Sequence, residues 1–268
     1  MFESVKTVLQ ENYKNRDRLF RLAFYELKAV NSGTVLGFLW NFLNPAFQIL
    51  VYWFVFSVGL NTAAPRGNYP YIIWMITGII PWFYISSALM SSTTSIYNYS
   101  DVLKRMYLPL SIVPVKTVLS SFFSHCGAMA VVFSIFLLLG YRLRLGVLWI
   151  FYFALCSVVF LTGYSLLASA ITVLFKDFQK IMSSVVRLLF YISPVVWVQE
   201  NLPEKVQFIL KLNPLSYIIN GYRDSILYGS SLDVHWKQGI YFWSATLVLF
   251  VLGCCTHMRF RKKFLDLI

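Results

Sequence analysis

Apolar residues gather in six long stretches, separated by short polar segments: Thr34–Leu60, Tyr71–Ile96, Leu110–Leu139, Leu145–Phe175, Phe178–Val198 and Gly239–Met258. A helix needs about 20 mostly apolar residues to cross a bilayer, and each stretch supplies them. In hydrocarbon every backbone donor and acceptor must find its partner within the segment, so the pattern predicts helices. The expected fold class is all-α and polytopic, with six transmembrane helices occupying residues 34–258.

Residues 1–33 are patterned differently. Phe2, Val5, Leu9, Tyr13, Phe20, Phe24 and Leu27 share one face at helical spacing, and Lys14, Arg18, Arg21 and Lys28 share the other. Basic residues opposite aromatic ones predict an N-terminal amphipathic helix lying in the membrane interface. It serves either as an anchor or as a movable element that meets an anionic headgroup. The segment has no apolar core beside a small-residue cleavage site, so no cleaved signal peptide is expected.

Two connectors carry structure of their own. Residues 98–109 read NYSDVLKRMYLP, with apolar Val102, Leu103, Met106 and Tyr107 beside Asp101, Lys104 and Arg105, closed by Pro109. This predicts a short amphipathic helix, suited to packing or to docking a cytoplasmic protein. The segment Gln199–Lys237 shows helical patches at Glu204–Leu212 and Leu215–Leu227, divided by Asn213–Pro214. They predict a pair of short external helices dipping back into the membrane before the last span. Such pieces are stable only when packed on protein or lining a cavity.

Several spans are interrupted. Asn41, Asn44 and Gln48 share one face of the first, and Pro45, Pro81 and Pro194 fall in the first, second and fifth, where proline removes a donor and kinks a helix. The amides are either interhelical glue or the lining of a pathway. Arg187 sits near the middle of the fifth span. A central arginine costs about 2.5–3.5 kcal/mol on insertion scales, so it calls for a wet cavity or a partner. The expected translocation pathway comprises Phe38, Asn41, Asn44, Arg187 and Tyr191.

Charge sets the orientation. Of 23 Lys and Arg, 14 fall on the side of the N-terminus, 7 on the other, and Lys116 and Arg187 within spans. The bias predicts both termini in the cytoplasm, with residues 259–268 a basic cytoplasmic tail. Against it stand Arg142 and Arg144 in a short external turn. Hydrophobic residues make up 58% and charged residues 13%, roughly half the charge of a soluble domain. The net charge of +12 then points to anionic lipid headgroups and not to nucleic acid. Cys126, Cys156, Cys254 and Cys255 all lie in apolar stretches and read as small hydrophobes.

Catalytic signatures are missing. The chain contains no G-x-x-x-x-G-K-[ST] phosphate loop and no G-x-S-x-G elbow, and His125, His235 and His257 have no metal-ligand spacing. No enzyme activity or cofactor is expected of this chain.

Six strings occur in the order found in the membrane subunits of bacterial ATP-binding-cassette polysaccharide exporters: Leu36–Gln48 (LGFLWNFLNPAFQ), Gly78–Tyr84 (GIIPWFY), Asp101–Pro109 (DVLKRMYLP), Phe175–Phe178 (FKDF), Ser193–Trp197 (SPVVW) and Asn213–Asp224 (NPLSYIINGYRD). The chain resembles these permeases over nearly its whole length, and within them the teichoic acid translocation permeases most. In FKDF it has Lys176 where the family commonly has arginine. The resemblance implies a plasma-membrane half-transporter that pairs with a second copy and with two separate ATPase subunits, which hold ATP and Mg. It implies ATPase docking through Asp101, Leu103, Lys104, Arg105, Met106 and Tyr107. The implied cargo is a polyprenyl-diphosphate-linked polymer, teichoic acid first, with capsule or O-antigen polysaccharide or another cargo as the alternative. Arg18, Arg21 and Lys28 are the expected contacts of the lipid diphosphate. A membrane enzyme of glycan or lipid synthesis ranks below both, because Asp101 and Asp177 are scattered acids.

Overall fold

A computed structural model describes residues 2–30, 32–59, 69–100, 102, 108–141, 145–198, 203–229 and 236–267. Its helices are α1 (Phe2–Lys14), α2 (Arg16–Ala29), α3 (Trp40–Trp53), α4 (Tyr71–Thr93), α5 (Ser95–Asn98), α6 (Ile112–Leu138), α7 (Trp149–Leu174), α8 (Phe178–Ile192), α9 (Glu204–Lys211), α10 (Pro214–Arg223) and α11 (Trp236–Leu267). Helix α3 continues through a π-helical turn to Gly59, and α10 through another to Tyr228.

Among the described residues five helices are long and apolar enough to cross a membrane: Trp40–Gly59, Tyr71–Thr93, Ile112–Leu138, Leu145–Leu174 and Trp236–Arg261. The difference from the expected six lies in the fifth stretch. There α8 stops after 15 residues, about 22 Å of helix against a hydrocarbon core of about 30 Å. Pro194 is the cause. The residue before a proline is pushed out of the α region, and Ser193 is extended at φ −85°, ψ 153°. Pro45 and Pro81, by contrast, sit inside unbroken helices. The last helix runs beyond the apolar stretch, through the basic residues to Leu267.

Helix α4 is the hub. Most of its side chains are buried, and it packs on α3, α6, α7, α8 and α10. Helices α7 and α11 form the most extensive pair. Glycines let their backbones meet: a Cβ on Gly253 would lie 2.3 Å from the Gly163 carbonyl oxygen, and one on Gly163 would lie 2.8 Å from Phe250 Cα. Small residues at close crossings are the usual means of packing membrane helices. Helix α3 is peripheral, and no described side chain along it is fully buried.

The expected single N-terminal helix is two helices, broken at Asn15. Both pack on the bundle. Val8 of α1 is buried against Leu166 and Cys254, with Val5, Phe250 and Met258 around them. Helix α2 packs Leu19 on Ile112 and Val115 at the start of α6. Both helices thus cap one end of the bundle, where α11 finishes: Arg261 Nη1 donates to Glu11 Oε1 at 2.6 Å.

The pair of short helices expected before the last span is present as α9 and α10. Asn213 caps α10, its Oδ1 accepting from Leu215 N at 3.0 Å, with Pro214 in the first turn. Nearly all of α10 is buried against α4, α7 and α11.

Candidate functional site

The polar face of α3 opens onto a cavity. Asn41, Asn44 and Gln48 face Ser86 and Ser87 of α4 and Ser121, Ser124 and His125 of α6 across a space of about 480 Å³. Trp40, Phe83 and Tyr84 complete the wall with Ile80, Met90 and other apolar groups. Among the described residues, none of those lining it is Asp, Glu, Lys or Arg.

His125, the central residue of α6, anchors the inner wall. It is 4% exposed, and its Nε2 lies 3.1 Å from the Tyr222 hydroxyl of α10. Its ring stacks on Tyr84 with centroids 5.0 Å apart. Its Nδ1 is buried without a hydrogen-bond partner. A buried unpaired imidazole nitrogen is costly.

The expected pathway set is divided. Asn41 and Asn44 share the cavity, whereas Arg187 and Tyr191 stand on the exposed side of α8. Arg187 Nε donates to the Ser183 carbonyl at 3.2 Å and Nη2 to Ser184 Oγ at 3.5 Å, both within its own helix. The opposite face of α8 buries Met182, Val186 and Phe190. Phe190 meets Trp82 of α4 and Tyr52 of α3, ring centroids 5.7 Å and 5.0 Å apart. Position 38 lies in a 3-10 turn, Gly37–Leu39, that precedes α3, and the Phe38 side chain lies outside the described residues.

Arg18, Arg21 and Lys28 are exposed along α2. The buried stripe of α2 is Leu19 and Ala23, where the helix packs on α6. Phe20 and Phe24 remain half exposed at its edge, and Lys28 Nζ lies over the Phe24 ring at 4.7 Å.

Two carboxylates fasten this end. Glu26 of α2 receives Lys116 Nζ at 2.8 Å and Thr117 Oγ1 at 3.4 Å, and the same ammonium sits 4.1 Å above the Tyr99 ring. Burial, followed by the Glu26 charge, pushes the Tyr99 phenol above its ordinary pKa. Glu11 of α1 receives Arg261 and also Ser111 Oγ at 2.5 Å. Of the expected docking segment, Asp101, Leu103, Lys104, Arg105, Met106 and Tyr107 lie outside the described residues. Its flanks are fixed: Tyr99 and Leu108 pack on the cluster of Ile96, Leu110, Val113, Ala170, Val173 and Phe264.

Arg223 of α10 is 4% exposed. Its guanidinium lies 3.7 Å over the Trp74 ring, donates from Nε to the Trp74 carbonyl at 3.4 Å and from Nη2 to the Val195 carbonyl at 3.1 Å. Gly78 makes the room, since a Cβ there would lie 2.1 Å from Nη2. Gly78, Val195 and Arg223 belong to three of the separate strings noted above. The signal in the sequence was an arginine set among the apolar positions Ile218, Ile219, Tyr222 and Ile226. At the same end a cleft of about 460 Å³ is walled by Tyr152, Tyr217, Trp236 and Trp243, with Trp243 Nε1 donating to the Tyr152 hydroxyl at 2.8 Å.

Among the described residues no group of three or more His, Cys, Asp or Glu could hold a metal ion. The cavity between α3, α4 and α6 offers amide, hydroxyl and imidazole groups within a bundle of long apolar helices.

An O-antigen export system permease protein of Klebsiella pneumoniae is 25% identical over 253 residues, covering 94% of this chain and 95% of its own length. One from Myxococcus xanthus is 27% identical over 218 residues, covering 81% and 82%. A polysialic acid transport protein of Escherichia coli is 21% identical over 207 residues, covering 72% and 75%. The family model for ABC-2 type transporter membrane proteins matches residues 18–227, well over half the sequence. The chain is therefore a multi-pass membrane protein of the ABC-2 type transporter family.

Proposed function

We propose that this chain is the permease of an ATP-driven exporter that carries a polyprenyl-diphosphate-linked surface polysaccharide across the bacterial plasma membrane. Two copies would form the path, and two separate ATPase subunits would hold ATP and Mg. The observation that carries the reading is the uncharged amide, hydroxyl and imidazole lining of the cavity between α3, α4 and α6, set within membrane-spanning helices. A path for a glycan needs many weak polar contacts and no reacting group.

The relatives named above are permeases for O-antigen and a transporter of polysialic acid. They support a polysaccharide cargo over the teichoic acid that the sequence strings suggested first. Arg18, Arg21 and Lys28, exposed on α2, are the proposed contacts of the lipid diphosphate. The exposed α8 face with Arg187 and Tyr191 is proposed to line the path against the second copy. Residues 101–109 are the proposed ATPase-docking segment, with Tyr107 an apolar anchor and Lys104 at the rim; Tyr107→Ala should weaken assembly more than Lys104→Ala.

Deletion of the gene in its own host tests the reading. The surface polymer should disappear and accumulate inside, and the intact chain should restore it. Unchanged surface polymer in the deletion strain overturns the proposal.

A further inference from the structure

We infer that the cavity between α3, α4 and α6 is a binding site for an uncharged sugar unit of the cargo, and not for its phosphate or for a lipid chain. The inference rests on the export reading above and assigns a ligand class to one place in it.

The lining chemistry makes the selection. Asn44 and Gln48 each bring an amide with two donors and an acceptor, and Ser87, Ser121 and Ser124 bring hydroxyls that both donate and accept. A sugar hydroxyl also does both, so it can match each of them. The His125 ring is a further polar member of the wall. Among the described residues the wall holds no Lys or Arg to meet an anion, and burying an unpaired charge is far costlier than burying a hydrogen-bonded hydroxyl. A polyprenyl chain would leave the Asn44 and Gln48 amides without partners. The rings of Trp40 and Phe83 offer apolar faces to the CH groups of a sugar. A volume of about 480 Å³ falls in the range of roughly 300–1,000 Å³ common for small-molecule pockets, enough for a short piece of glycan.

The test uses the permease–ATPase complex in nanodiscs with Ser124→Cys, a near-isosteric change. The rate of alkylation at position 124 by N-ethylmaleimide is read by peptide mass spectrometry, which separates it from Cys126. Three probes are compared: the polyprenyl-linked polymer extracted from the same cells, polyprenyl phosphate alone, and a glycerol-phosphate hexamer. The lipid-linked polymer should slow alkylation at least fivefold, and the other two should leave it unchanged. Gln48→Leu should weaken the protection given by the polymer. Equal protection by polyprenyl phosphate overturns the inference in favour of a lipid site, and equal protection by the hexamer overturns it in favour of an anion site. If the polymer stimulates ATP hydrolysis yet gives no protection, the cavity assignment fails while the export reading stands. If deletion strains still display the polymer, both fail together. A polymer in which every repeat unit bears phosphate or carboxylate also overturns the inference.

Discussion

Lys116 Nζ stands 2.8 Å from Glu26 Oε2, joining the start of α6 to α2, and the two partners differ in exposure: 5% for the lysine side chain and 30% for the glutamate. The asymmetry predicts unequal mutants. Glu26→Gln strands a buried ammonium, and removing one partner of a buried pair costs about 3–5 kcal/mol, less here because Glu26 is partly wet. Lys116→Met leaves a carboxylate that can reach water, at a cost of about 1 kcal/mol. Thermal unfolding in detergent should therefore show Glu26→Gln as the less stable variant, with the double variant recovering part of the loss. Equal midpoints for the two single variants would contradict this account.

Glu11 holds α1 to both Ser111 and Arg261. Glu11→Gln keeps the shape and removes the charge. It should free α1 without unfolding the bundle, so trypsin should cut faster at Lys14, Arg16 or Arg18 while the thermal midpoint shifts little. Unchanged cleavage would mean that the Val8 contacts alone hold the helix.

Helix α8 exposes two unlike faces: Lys180, Ser184, Arg187 and Tyr191 on one, Ile181, Leu188 and Ile192 on the other. If the first lines a wet path, Ser184→Cys should react with a water-soluble maleimide at least tenfold faster than Leu188→Cys in membranes. Similar rates would place both faces in lipid or both in protein.

Gly78→Ala forces a methyl group into the Arg223 guanidinium, and overpacking a filled interior costs about 1–3 kcal/mol. Adding Arg223→Ala should rescue part of that loss. Additive losses measured by thermal unfolding would show that the contact is not the source of the strain.

Much of the helical body is legible from apolar run length alone, because hydrocarbon leaves the backbone no alternative. The α9–α10 pair is legible too, since Asn213–Pro214 is a recognisable helix start. Arg187 and Pro194 show where reading stops. The proline was visible, but whether it kinks or ends a helix depends on what receives the chain afterwards, and here the Val195 and Val196 carbonyls are taken by Arg223 and Tyr71. The Asn41–Asn44–Gln48 face was legible as a face. That it would meet His125, which lies far along the sequence on α6, was not, because nothing local records which helices become neighbours. The same gap explains α2: periodicity showed its aromatic stripe, but packing on α6 chose Leu19 and Ala23 to bury.

The close fit between Gly78 and Arg223 has an evolutionary consequence. The two positions lie in distant parts of the gene, yet neither can drift alone. A lineage that gains any side chain at 78 must first shrink 223, and one that loses the arginine leaves the Val195 carbonyl to be answered by something else. Substitutions there should travel as a pair, and related sequences that keep the arginine should be found to keep the glycine.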